Sequence, residues 1–122
     1  MINAEFYFKD DNTPVGFKVF GHAGWAESGS DIVCAAVSSA VELTCNTVTD
    51  FFGFDCYVGV NNEDNSIELY LPEYTSKIPD HAVKLVDSLL SHLEHISEDY
   101  PGTVDVVRVT RKGKPEKRRF KK

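Results

Sequence analysis

Two residues in the first third of the chain could do chemistry together, Cys34 and His22. Cys34 follows Ser30 and Asp31, both good helix N-caps, and the apolar spacing of Val33, Val37, Ala40, Thr44, Val48 and Phe51 predicts a helix from there to Gly53. A cysteine in a first helical turn lies at the positive end of the helix dipole, which favours the thiolate, the nucleophilic form. His22 stands twelve residues upstream, across a glycine-containing loop long enough to fold back and bring an imidazole to the sulfur. A thiolate with an imidazole partner can attack a carbonyl carbon and hand a proton to the leaving group. The spacing does not force the pair together, because a cysteine at a helix start also reads as a small hydrophobe and a histidine beside glycine as a loop residue.

The other candidates read as structural. Cys45 falls in the middle of the predicted helix and Cys56 in a predicted strand, where burial raises a thiol pKa and makes it inert. Three cysteines, widely spaced and without a CxxC pair, build neither a disulfide framework nor a zinc site, so free thiols in a reducing compartment are expected. His81, His92 and His95 belong to a second predicted helix, and without an HExxH pattern the His92–His95 pair reads as solvent-facing. There is no Walker loop, dinucleotide fingerprint or GxSxG elbow, so no metal or cofactor is expected.

The elements that must position Cys34 and His22 follow from periodicity. Ile2, Ala4, Phe6 and Phe8 alternate with Asn3, Glu5 and Tyr7, and after a turn at Asp10–Pro14 the alternation resumes at Val15, Phe17 and Val19, predicting an antiparallel hairpin. The first helix follows, and Ile32, Ala36, Val41 and Leu43 widen its apolar face, so it is expected to be largely buried. Cys56–Val60 and Ser66–Leu71 predict a second hairpin around an Asn/Asp-rich turn. Pro79 opens an amphipathic helix carrying Val83, Val86, Leu90, Leu93 and Ile96 to about Tyr100, and Val104–Val109 closes the fold as a strand. The order β-β-α-β-β-α-β predicts an α+β fold, a mainly antiparallel sheet with two helices packed on one face.

At 122 residues, 42% hydrophobic and 26% charged, the chain fits one soluble domain, expected over residues 1–110. No apolar run is expected to approach the roughly 20 residues of a membrane span. The first residues lack the charged and apolar regions of a signal peptide, so a cytoplasmic location is expected. Residues 111–122 hold eight basic side chains against Glu116 alone, +7, which leaves −13 of the net −6 on residues 1–110. An acidic body attracts cationic partners, and a basic, flexible tail offers a weak contact to RNA.

Gly21-His22-Ala23-Gly24, a short polar loop and Asp31-Ile32-Val33-Cys34-Ala35-Ala36-Val37-Ser38 together resemble the signature of the bacterial ribosomal-processing cysteine protease family. Both halves, their order and the gap between them agree, and the resemblance extends more loosely over residues 1–110. It implies that His22 and Cys34 are the catalytic residues of a cysteine endopeptidase. It implies a substrate as well: the N-terminal extension of a large-subunit ribosomal protein, the twenty-seventh, removed by a cut after phenylalanine during ribosome maturation. A homodimer is implied too.

Around this dyad, residue chemistry suggests further roles. Asp31 can orient His22 as a third catalytic member or cap the helix that carries Cys34, and the capping reading is preferred. Backbone N–H groups at the helix start, that of Cys34 among them, are expected to stabilise an oxyanion. Gly21 and Ser38 are candidate supporting residues, and Gly24 and Gly29 are expected to make the intervening loop mobile. Two rival readings are a non-enzymatic ribosome- or RNA-associated binding module acting through the tail, and a redox sensor using Cys34 alone.

Overall fold

A computed structural model of the chain describes residues 1–21, 31–54, 56–71 and 80–110. Its elements follow the expected order: β1 (Ile2–Phe8), β2 (Pro14–Gly21), α1 (Ile32–Asn46), β3 (Tyr57–Asn61), β4 (Ser66–Tyr70), α2 (Asp80–Asp99) and β5 (Val104–Thr110). The five strands form one sheet in the order β3-β4-β2-β1-β5. Its pairings are antiparallel except that β5 runs parallel to β1, made possible by the long return through α2.

Alternation along the strands decides which face is covered. Phe6 lies opposite Phe17, Phe17 opposite Leu69 and Leu69 opposite Val58, a continuous apolar row across four strands. Both helices bury their inward stripes against that face: Val33, Val37, Val41 and Val48 from the first helical segment, and Ala82, Val86, Leu89, Leu90, Leu93 and Ile96 from α2. Each such aliphatic side chain taken from water contributes about 1.5–3 kcal/mol before chain entropy is subtracted. Ser97 Oγ, which donates to the Val104 carbonyl at 2.8 Å, fastens α2 to the strand that follows it.

The reverse face closes itself with tyrosines. Tyr7 stacks on Tyr70 at 5.7 Å between ring centroids, and Tyr57 meets Tyr70 at 5.7 Å. The rings of Tyr57 and Tyr70 lie over Gly59 and Gly16, where a Cβ would come within 2.9 Å of the Tyr57 hydroxyl and 2.8 Å of the Tyr70 ring. Tyr7 and Glu68 are consequently buried on a face that neither helix reaches.

The first helical segment departs from expectation in two ways. Ile32, Leu43 and Phe51 are 56%, 68% and 83% exposed, and Ala36 is exposed too, so the helix is amphipathic rather than largely buried. A two-layer fold offers it only one surface, and at 100° per residue positions 32, 36 and 43 point away from the sheet. Its last turn, Thr47–Phe51, is π-helical, with the Phe52 N–H donating to the Thr47 carbonyl at 2.8 Å; Val48 is buried in the core and Phe51 is exposed. The run Ile32–Phe51, 20 residues of mean hydropathy 1.4, is also long and apolar enough to cross a membrane by length and composition, which corrects the expectation that no stretch approached that length. In this fold its inward side is a wall of the core.

Candidate active site

Asp31 settles where α1 begins. Its backbone is extended (φ −78°, ψ 102°) and its Oδ1 accepts from the N–H groups of Val33 and Cys34, both at 3.0 Å. The Asp31 carbonyl accepts the first helical bond, from the Ala35 N–H at 3.1 Å. Cys34 is therefore the third helical residue, in the first turn, and Asp31 is buried as its cap. The capping role read from the sequence is present, whereas the alternative of orienting His22 concerns a residue that lies outside the described residues, as do Gly24 and Gly29.

The amides of Val33 and Cys34 both donate to the Asp31 carboxylate, so an oxyanion formed at the helix start would share these donors with the cap.

Cys34 is half-buried and forms part of the wall of a cavity of about 40 Å³ between α1 and the sheet. Val37, Ser38 and Val41 continue that wall at helical spacing, Ile2, Val19 and Ile67 supply the sheet side, and Gly21 and Asn65 also line it, among the described residues. Ser38 is exposed one turn after Cys34, as its spacing suggested.

Gly21 ends β2 with φ +95°, and a Cβ there would lie 2.6 Å from the Met1 carbonyl oxygen, so only glycine fits without displacing β1. Its carbonyl accepts from Asn65 Nδ2 at 3.4 Å, which ties the β3–β4 turn to the residue that precedes His22. Asn65 itself holds a left-handed backbone, φ +55°. The sequence marked it only as a turn former; its place beside Cys34 follows from strand pairing, which brings β4 next to β2 across 44 residues of chain.

The remaining candidates are where a structural role puts them. Cys45 is buried, and desolvation first, then Cys56 and Glu42 nearby, pushes its thiol up to about 12. Cys56 is buried in the same core. His92 and His95 are exposed on α2, and His81 meets the rings of Phe52 and Phe54 at 4.5 and 5.5 Å between centroids.

Comparison with known proteins adds a family match to this geometry. The family model described as cysteine protease Prp matches residues 1–105. The ribosomal processing cysteine protease Prp of Bacillus subtilis is 31% identical over 111 residues, 90% of this chain and 96% of that protein. A Streptococcus mutans crystal structure is 26% identical with a TM-score of 0.77, covering 91% of this chain and 96% of its own. The essential ribosomal processing protease Prp from S. aureus, crystallised with a covalently linked product peptide, has a TM-score of 0.79 at 20% identity, over 88% of this chain and 99% of that one; the likeness shows a shared fold.

Proposed function

Because this chain belongs to the cysteine protease Prp family, we propose that it is a cysteine endopeptidase in which Cys34 is the nucleophile and His22 its proton partner. The observation that carries this reading is the Asp31 cap, whose bonds to the Val33 and Cys34 amides fix the thiol in the first turn of α1, at the wall of a cavity. A thiolate is favoured at such a helix start.

In the proposed reaction the Cys34 thiolate adds to the scissile carbonyl, forming the C–S bond and a tetrahedral oxyanion. Its collapse breaks the C–N bond as protonated His22 gives its proton to the departing amine. Neutral His22 then takes a proton from water, the hydroxide oxygen adds to the thioester, and the C–S bond breaks to release the carboxylic acid and restore the thiolate. The Asp31 carboxylate holds the helix start throughout. Gly21 and Ser38 support the site from either side of the cavity.

The relatives' role in ribosomal processing and the motif around His22 and Cys34 support a ribosomal protein as substrate: the twenty-seventh of the large subunit, cut after phenylalanine within its N-terminal extension. The −13 on residues 1–110 suits capture of a lysine-rich substrate. A homodimer working in the cytoplasm, with residues 1–110 as the protease domain and the basic tail 111–122 making at most a weak RNA contact, completes the reading. The test is mass spectrometry of a peptide spanning the extension junction after incubation with wild type, Cys34→Ser and His22→Ala under reducing conditions. Cleavage after phenylalanine by wild type alone is expected; cleavage surviving either substitution would overturn the dyad.

A further inference from the structure

The hydrogen bond from Asn65 to Gly21 stands where strand pairing stops. The ladder between β2 and β4 ends with Val19 opposite Ile67; continued by two residues, its register would set Gly21 opposite Asn65. Neither backbone is extended there, since Gly21 has φ +95° and Asn65 φ +55°. The Asn65 side chain takes over from the main chain: its Nδ2 donates to the Gly21 carbonyl at 3.4 Å, where the next rung would fall. Only the NH2 end of the carboxamide can face a carbonyl oxygen, which fixes its orientation. The turn that carries Asn65 is itself braced, for Asn61 Oδ1 accepts from the Glu63 N–H at 2.9 Å and Asp64 Oδ1 from the Ser66 N–H at 3.1 Å. On its other side Gly21 is held by pairing with Ile2.

Resting on the protease reading, we infer that Asn65 is a positioning residue for the proposed reaction: from the β3–β4 turn, its carboxamide fixes the peptide unit that leads into His22. The Gly21 carbonyl and the His22 N–H belong to one planar amide group, so a donor that holds the oxygen also sets the direction in which the chain leaves β2. Glycine alone allows a wide range of backbone angles, and the one that Gly21 adopts is therefore imposed by its neighbours. Gly21 and Asn65 both line the depression that Cys34 walls, which puts this clamp on the side of the fold where the sulfur lies. A misplacement of about 1 Å in a reacting group can cost about 100-fold in rate, and to one exposed bond of 3.4 Å we assign about tenfold.

The test compares Asn65→Gly, Asn65→Asp and Asn62→Gly with wild type on the junction peptide. Glycine accepts φ +55° and removes the donor; aspartate keeps the shape and tolerates a left-handed backbone but has no hydrogen to donate when ionised. Asn62→Gly alters the same exposed turn and leaves the Asn65 side chain in place. Thermal melts show that each variant is folded, and either Asn65 variant decides the matter if the other is not. Both Asn65 variants should lose about tenfold in kcat with KM within about twofold of wild type, and Asn62→Gly should lose nothing. Iodoacetamide gives a readout without substrate: at about pH 7, labelling of Cys34 should slow in Asn65→Gly in the same direction as in His22→Ala, because an imidazolium no longer held near the sulfur stabilises less thiolate. Wild-type kcat or wild-type labelling in a folded Asn65→Gly, an equal loss in Asn62→Gly, or a rise in KM alone would overturn the positioning role while leaving the protease reading standing. Failure of wild type to cut the junction peptide would overturn the protease reading and the positioning role with it.

Discussion

Asp31→Ala should destabilise this protein by about 1–2 kcal/mol, the usual loss when a good N-cap is replaced by alanine. The two bonds that Oδ1 accepts at 3.0 Å would be gone, and the Val33 and Cys34 amides would have to find water at the end of a helix whose cap is now buried. For a domain of this size that loss corresponds to a fall in Tm of about 4–10 °C. Asp31→Asn keeps an acceptor oxygen at the same place and gives up only the charge against the helix dipole, worth about 0.3–1 kcal/mol, so its melt should fall by no more than about 1–5 °C. Far-UV circular dichroism melts of the three proteins give the stabilities, and hydrogen exchange at the Val33 and Cys34 amides locates the effect. An alanine variant that melts with the wild type would refute the energetic role assigned to the cap. An asparagine variant that keeps its Tm but loses about 100-fold or more in turnover would refute a role limited to capping, because only the charge, and with it the power to orient an imidazolium, has been removed.

Other expectations follow from particular residues. Gly21→Ala should lower the Tm by an amount equivalent to about 1–3 kcal/mol, because φ +95° and a Cβ 2.6 Å from the Met1 carbonyl are both unfavourable; kcat/KM should fall with it, since the next residue is His22. Cys45 has its thiol pushed from 9.0 to about 12, so the unfolded chain releases this proton first. Its contribution is complete below about pH 9 and is lost as pH rises towards 12, and denaturant midpoints should fall more steeply over that range for wild type than for Cys45→Ala. In the folded protein, iodoacetamide should label Cys34 well before Cys45 or Cys56, which peptide mapping reads directly. Truncation after Thr110 should leave peptide cleavage unchanged while reducing any salt-sensitive binding to RNA; loss of cleavage would contradict the assignment of residues 1–110 as the whole protease domain.

The element order and the helix start were legible because both are local. Period-two alternation in β1 and β2 depends on neighbours two residues apart, and Asp31 announces the cap through residues two and three positions on. What was not legible depends on partners distant in sequence. The exposed outer side of the first helix arises because the fold has one sheet and so one surface to cover it, a fact about layers that the apolar positions Ile32, Leu43 and Phe51 do not carry. The π-helical turn at Thr47–Phe51 leaves no periodicity of its own over five residues. Asn65 could not be placed at the site from its turn signal alone, because its link to Gly21 needs β4 paired with β2.

The nucleophile assigned to Cys34 is tested most directly by stopping turnover of the junction peptide in acid and measuring the intact protein mass, followed by peptide mapping. The account predicts a thioester adduct equal to the N-terminal substrate fragment less water, carried by the peptide containing Cys34 and absent from Cys34→Ser, which does not cleave. An adduct on Cys45 or Cys56, or cleavage that persists in Cys34→Ser, would contradict it.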